Sequence, residues 1–161
     1  NKGWNGINID LNKTSIDLFN LARPDDINLN FAVSNTQKRV KIYQNKNLGK
    51  MNTINPKYAS FYLKDYRIRE TASYSLNNIL EKYHFKSNKF EFINIDAEGS
   101  EYMILKNIDF TKYSFKIILV ETHRWNSFTQ QESNKIHSLL QTNNYNLLKN
   151  LGETSIYENN N

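Results

Sequence analysis

The sequence predicts a doubly wound α/β domain with a mostly parallel sheet. Three observations support this fold class. Apolar runs typical of strands alternate along the chain with segments of helical periodicity. The last strands form a predicted hairpin, which makes one edge of the sheet antiparallel. The length of 161 residues is that of one ordinary domain, which we expect to span residues 1–161.

The beginning of the chain predicts a strand, a helix and a second strand. Residues 6–10 alternate apolar and polar side chains and end on an acid, as a short strand would. Residues 12–21 have apolar positions at helical spacing, with Asn12 or Thr14 as the N-cap. Residues 27–33 alternate with period two, which predicts one strand.

The pattern weakens over residues 34–73, which we predict to be an insertion or lid. Within it, residues 39–43 alternate as a strand does, whereas residues 45–56 are rich in Asn and Lys and predict a loop. Alternation returns at residues 66–74.

The rest of the chain continues the alternation of helices and strands. Ser75 is the predicted N-cap of a helix, and the long apolar run that ends at Glu121 predicts a central strand. The predicted helices are 75–83, 100–106 and 130–142, and the predicted strands are 90–95, 115–121, 145–149 and 154–157.

Composition excludes several classes of site. The chain has no cysteine, which rules out disulfides, thiolate zinc sites and cysteine nucleophiles. The net charge is +5, but the lysines are scattered, so we expect no nucleic-acid partner. No apolar stretch has the length of a membrane span or a signal peptide, and we expect a cytoplasmic protein whose oligomeric state the sequence does not indicate.

Acids end three of the predicted strands, at Asp10, Asp96 and Glu121. Ligands of doubly wound sheets bind beyond the carboxyl ends of the strands, so these positions are candidate site residues. Asp10 either accepts hydrogen bonds from a ribose or caps the following helix. Glu101 either belongs to the site or serves only as an acidic residue in the first turn of its helix.

The acids around Gly99 repel each other unless a cation, a proton or a bound donor compensates them. Asp96, Glu98 and Glu121 are therefore candidate ligands of a divalent metal, and Asp96 is also a candidate base. His123 follows the strand that ends at Glu121, and it is either a loop residue or an acid/base group. The other histidines, His84 and His137, lie on predicted helices, where we expect structural roles.

The run FINIDAEGSEYMILKNIDF resembles the IDxEGxExxxLK signature of the FkbM family of S-adenosylmethionine-dependent methyltransferases. IILVETH and GWNGINID resemble the same family's pattern in order and spacing, so the resemblance covers nearly the whole chain. It implies a class I methyltransferase (Rossmann-like) fold with strand order 3-2-1-4-5-7-6 and an antiparallel seventh strand. The resemblance begins at the second of these strands, so we expect the first strand and its glycine-rich loop to be absent from the sequence that starts at Asn1.

The resemblance also implies roles for the candidate residues. Asp10 would bind the ribose of S-adenosylmethionine, and Phe31, Ala32 and Val33 would lie near the adenine. Asp96 would lie beside the methyl group and the substrate, with Glu121 and His123 at the end of the next strand.

The expected reaction is methyl transfer to a hydroxyl of a sugar, lipid, polyketide or other small metabolite. Asp96 or His123 would accept the proton, or a divalent metal would acidify the hydroxyl. Two alternatives remain at this point: a non-catalytic accessory module that has lost cofactor binding, and a nicotinamide-dependent oxidoreductase. The latter needs a glycine fingerprint before the strand at 6–10, and the terminal hairpin argues against it.

Overall fold

The computed structural model describes residues 3–45, 51–83, 87–123 and 126–160, and its fold is mixed α/β. The chain divides into two compact units, Asn1–Tyr74 and Ser75–Asn161, which are described in turn. The single domain expected from the length stays a prediction. The described strands form three separate sheets, whereas the sequence predicted one continuous sheet.

In the first unit, β1 (Ile7–Ile9) and β2 (Ile27–Leu29) form a parallel pair joined by helix α1 (Lys13–Ala22). Asn12 is the N-cap of α1, as predicted, because its side chain accepts the N–H of Thr14 at 3.0 Å. Both strands therefore end at the edge where α1 begins.

The second sheet of this unit has the order β3-β6-β4-β5. Its long strands are antiparallel neighbours, β4 and β6, and the short β3 pairs with β6 in parallel. The elements are β3 (Ala32–Val33), β4 (Arg39–Asn45), β5 (Asn52–Thr53), α2 (Pro56–Tyr62) and β6 (Tyr66–Tyr74).

Two predictions for this unit were wrong. The single strand expected over residues 27–33 is two strands, because the chain changes partners at Asn30 and Phe31, from β1 to β6. The ring of Phe31 packs on Tyr74 with 4.7 Å between centroids, which holds it on the second sheet. Helix α2 was not predicted, although Asn55 caps it and Pro56 occupies its first turn.

In the second unit, one four-stranded sheet has the order β7-β8-β10-β9. β7 and β8 are parallel, and β10 is antiparallel to both of its neighbours. The elements are α3 (Leu76–Lys82), β7 (Lys89–Ile95), α4 (Glu101–Lys106), β8 (Ser114–Glu121), α5 (Ser127–Thr142), β9 (Tyr145–Leu151) and β10 (Thr154–Asn159).

The core of this unit confirms the predicted central position of β8. Phe115, Ile118 and Val120 on β8 are fully buried, and Leu140 of α5 is buried as well. Burial of such side chains removes apolar surface from water at roughly 25 cal/mol per Å². The inner strand is therefore rigidly packed up to Glu121, where it ends.

Helix α5 begins three residues before the predicted start at Gln130. Asn126 accepts the N–H groups of Phe128 and Thr129, and the Thr129 hydroxyl accepts the N–H of Asn126, which forms a capping box. Among the described helices, none is long and apolar enough to cross a membrane.

Candidate functional site

Asp96 and Glu121 follow neighbouring parallel strands at the same edge of the second unit's sheet. The register pairs Ile95 with Val120, and the next residue after each of them is one of the two acids. Carboxylate oxygens of Asp96, Glu101 and Glu121 lie within 4.8 Å of one another. The structure therefore brings together three of the acids that the sequence indicated.

The turn between β7 and α4 has an uncommon backbone. Glu98 has a φ angle of 50° and Gly99 has a φ angle of 88°, so both residues are in the left-handed region. Glycine adopts this region freely, whereas a residue with a side chain is strained there by roughly 1–2 kcal/mol. The strain at Glu98 requires compensating contacts.

Glu101 supplies those contacts. One of its carboxylate oxygens, Oε1, accepts the backbone N–H of Ala97 at 2.8 Å and that of Gly99 at 3.1 Å. Ser100, the N-cap of α4, makes no side-chain capping bond, so the carboxylate of Glu101 organises the turn instead.

Glu101 also carries an unusual proton affinity. Its side chain is 6% exposed, and this burial raises its pKa from 4.5 to about 7. The negative charge of Glu121 acts in the same direction, and the hydrogen bonds from Ala97 and Gly99 oppose it. Glu101 is thus not only an acidic residue in the first turn of α4, because it also organises the turn and has a raised pKa.

His123 is buried at the same edge, two residues beyond Glu121, the last residue of β8. Its Nε2 lies 3.0 Å from Oε2 of Glu121 in an ion pair. Burial by itself would lower the pKa of His123, but the hydrogen bond and charge of Glu121, with the charges of Glu153 and Glu101, raise it above 6.5. The hydrogen bond and charge of Glu121 therefore stabilise the imidazolium form against the cost of burial.

The backbone of His123 is held by helix α5. The hydroxyl of Ser133 donates to the carbonyl oxygen of His123 at 2.7 Å, and both residues are buried. A buried hydrogen bond of this kind contributes about 1 kcal/mol. It fixes the direction in which the chain leaves β8.

Sequence reasoning missed Glu153, which lies in the turn of the terminal hairpin. Its Oε1 is 4.0 Å from Nδ1 of His123. A signal was present, because a hairpin strand antiparallel to β8 must begin where β8 ends. Thr154, the first residue of β10, is indeed the register partner of Glu121.

The metal candidates were tested against this geometry. Ligand atoms of Glu98, Glu121 and His123 lie within 4.8 Å of one another, as do those of the three acids described above. Oε2 of Glu121 lies 3.0 Å from Nε2 of His123, so a cation bound there would have to replace that contact. Oε1 of Glu101 already accepts two N–H groups. These described ligand atoms are thus engaged with other groups of the chain.

The predicted cofactor residues lie in the first unit. Asp10 directly follows β1, and its Oδ1 accepts the N–H of Asn12 at 2.7 Å. It is partly exposed, and a carboxylate can accept about four hydrogen bonds, so capacity for ribose hydroxyls remains. The Asn30 amide donates to the Asp10 carbonyl oxygen at 2.8 Å, which links the ends of β1 and β2.

The three residues predicted near adenine differ in accessibility. Phe31 and Val33 are partly exposed, whereas Ala32 is 2% exposed and packs in the interior of its unit. Apolar ligand contact is therefore open to the side chains of Phe31 and Val33 and closed to that of Ala32.

The remaining histidines are outside this cluster. Nδ1 of His137 on α5 lies 3.5 Å from the Tyr157 hydroxyl, a contact between two packed elements, as a structural role would require. His84 lies outside the described residues.

Comparison with protein families gives one match, to a family described as the methyltransferase FkbM domain, over residues 1–147 of the 161. Neither the curated proteins nor the solved structures give a match. The matched region includes Asp10 and the whole acidic cluster around Asp96 and Glu121, and it ends before Glu153.

Proposed function

Because the chain belongs to the FkbM methyltransferase domain family, we propose that it is an S-adenosylmethionine-dependent O-methyltransferase or a fragment of one. The acceptor is a hydroxyl of a sugar or another small metabolite. The observation that carries the proposal is the family match together with the cluster of Asp96, Glu121 and His123 at the ends of adjacent strands.

The order of the second unit's sheet supports a class I arrangement. The sequence of neighbours β7-β8-β10-β9, with β10 antiparallel, corresponds to strands 4-5-7-6 of such enzymes. The parallel pair β1 and β2 corresponds to strands 2 and 3.

S-adenosylmethionine, when bound, supplies an electrophilic methyl group. Asp10 would hold the ribose hydroxyls through its carboxylate, and Phe31 and Val33 would offer apolar surface to the adenine. Alignment of the reactants by such contacts can supply several kcal/mol of catalysis.

Asp96 is the group that we assign as proton acceptor. It is an exposed carboxylate at the end of β7, whereas His123 is buried and its Nε2 is paired with Glu121. His123 then serves chiefly to compensate the charge of Glu121 and to keep that acid beside Asp96.

Within the first unit, one face of β4 and β6 combines aromatic and charged side chains. Tyr43 and Tyr66 meet edge to face with 5.4 Å between ring centroids, and Lys41 and Glu70 are register partners on the same face. Side chains directly opposite in an antiparallel pair share a face. Aromatic rings beside charged groups suit a ligand that has both apolar faces and hydroxyls.

Calorimetric titration with S-adenosylhomocysteine tests the proposal. We expect the wild-type chain to bind, Asp10→Asn to bind about 10- to 100-fold more weakly, and the control Asp17→Asn to bind as the wild type does. Asp17 is an exposed acid of α1 paired with Lys13, so its replacement removes the same charge elsewhere. Asn at position 10 can still accept the N–H of Asn12.

Transfer of a labelled methyl group to a panel of sugars tests the chemistry. Asp96→Asn should lower kcat on the order of 100-fold and leave the affinity for S-adenosylhomocysteine unchanged. A folded wild-type chain that binds no S-adenosylhomocysteine would contradict the proposal and favour the non-catalytic accessory module.

A further inference from the structure

The terminal hairpin delivers a second carboxylate to His123. Nε2 of the imidazole faces Glu121 at 3.0 Å, and Nδ1 faces Glu153 at 4.0 Å, so the ring lies between two acids. Glu121 comes from β8, whereas Glu153 comes from the turn between β9 and β10. The family match ends at residue 147 and does not include this second acid.

The backbone of Glu153 is fixed against the end of β8. The N–H of Thr122 donates to the carbonyl oxygen of Glu153 at 2.6 Å, and the hydroxyls of Thr122 and Ser155 share a hydrogen bond of 2.6 Å. Thr122 and Ser155 are 2% and 1% exposed, so these bonds are shielded from water. The turn therefore has a definite position beside His123, although the carboxylate itself is exposed.

We propose that Glu153 is a positioning residue that holds the His123 ring in the orientation in which Nε2 meets Glu121. A flip of the ring would move both nitrogens away from the acids they face, Glu121 at 3.0 Å and Glu153 at 4.0 Å, and the contact with Glu153 is one of charge. The effect of this role on catalysis rests on the proposed methyltransferase function. The geometric coupling of Glu153 to His123 stands independently.

The consequence for catalysis runs through Glu121. With its ring fixed, His123 stays paired with Glu121, and Glu121 stays within the cluster that contains Asp96. Glu153 touches none of the reacting groups in this scheme. Its removal should therefore change the rate of transfer and not the affinity for cofactor.

The first test follows the two ring nitrogens of His123 by two-bond proton–nitrogen correlation NMR at one fixed pH. Their chemical shifts report which nitrogen carries a proton and what it faces. Single His→Gln changes at positions 84 and 137 assign the signals. We expect Glu153→Gln to shift the Nδ1 signal of His123 and Glu153→Asp, which keeps the charge, to restore part of the wild-type position.

Glu158→Gln is the matched control. Glu158 is an exposed acid on β10, five residues beyond Glu153 and so about 16 Å farther along the chain. Its replacement removes the same charge from the same hairpin. We expect it to leave the His123 signals unchanged, and circular dichroism should show the Glu153 and Glu158 variants to be folded because both side chains are exposed.

The second test compares methyl-transfer kinetics. We expect Glu153→Gln to lower kcat about two- to fivefold with unchanged KM for S-adenosylmethionine, the effect of a partly exposed ion pair felt in the transition state. A wild-type chain without transfer activity would contradict the proposed function, and the NMR comparison would still decide the role of Glu153. His123 ring signals that are the same in Glu153→Gln and in the wild type would overturn the inference.

Discussion

Glu121 and His123 form an ion pair, with 3.0 Å between Oε2 and Nε2, at the end of the central strand of the second unit's sheet. Both side chains are largely buried, so the attraction between them is screened less than it would be in water. The pair explains how several acids share one sheet edge: the chain provides its own cation.

Replacing Glu121 by Gln should lower the pKa of His123, because Glu121 provides the largest favourable interaction with the imidazolium. Since the pKa of His123 is raised in the folded chain, the pair's contribution to the free energy of unfolding is fully present below pH 6.5 and is lost as the pH rises through the folded-state pKa. Titration of the His123 ring protons by NMR measures the shift.

Glu91→Gln is the control for this prediction, because Glu91 is an exposed acid on β7. It should leave the titration of His123 unchanged. A wild-type titration curve in Glu121→Gln would show that the pair has no influence on the ring.

Replacing Glu101 by Gln should flatten the dependence of stability on pH. The pKa of Glu101 is about 7 in the folded chain and 4.5 ordinarily, so between these values the folded chain binds more protons than the unfolded chain. The free energy of unfolding therefore falls as the pH rises from 4.5 to 7. Gln, which is never ionised, should make the chain more stable above pH 7 by on the order of 2 kcal/mol.

Urea denaturation at several pH values measures this effect. Glu101→Ala serves as the comparison, because it also removes the acceptor for the Ala97 and Gly99 N–H groups and should be less stable than Glu101→Gln at every pH. Equal pH slopes for the wild type and Glu101→Gln would contradict a raised pKa.

Thr122 and Ser155 should show energetic coupling. Their hydroxyls share a buried hydrogen bond of 2.6 Å, so Thr122→Val or Ser155→Ala alone leaves one polar group without that partner, at a cost of about 1–3 kcal/mol. The double variant loses both groups together and should cost less than the sum of the single changes. A double-mutant cycle from urea denaturation measures the coupling, and additive costs would argue against it.

Methyl transfer should not require a divalent metal. Glu121 is already paired with Nε2 of His123 at 3.0 Å, so removal of metal ions with a chelator should leave the rate unchanged. The measurement compares the rate before dialysis against EDTA, after it, and after addition of Mg²⁺ or Mn²⁺. Loss of activity that Mg²⁺ restores would make Asp96, Glu98 and Glu121 metal ligands after all.

Local patterns predicted most of the elements of the second unit. The apolar runs that end before Glu121 and before Asp96 identified β8 and β7, because short apolar runs between polar segments are a signal of strands. The start of α5 was missed because it is set by the capping box of Asn126 and Thr129 and not by the apolar periodicity that begins farther along the helix. The capping residues indicate the first residue of α5 better than the apolar pattern does.

The sequence indicated the candidate residues that lie at strand ends. It did not indicate the residue whose position depends on which strands pair. Asp96, Glu121 and His123 follow directly from the rule that ligands bind beyond the carboxyl ends of parallel strands. Glu153 required knowledge of which strand the hairpin joins, which is a long-range property. The division of residues 27–33 was hidden for the same reason, since the alternation of side chains continues across the change of partner.

The parallel pairing of β3 with β6 brings the two ends of residues 34–73 close together, so that this segment is an insertion between neighbouring points of the fold. Val33 and Tyr74 are register partners, so the segment leaves and re-enters the fold at neighbouring points. Neighbouring strands lie about 4.8 Å apart and consecutive Cα atoms about 3.8 Å apart, so the two ends nearly meet. Evolution could therefore lengthen, shorten or exchange this segment as a unit while the pairing of β1 with β2 beside Asp10 stays as it is.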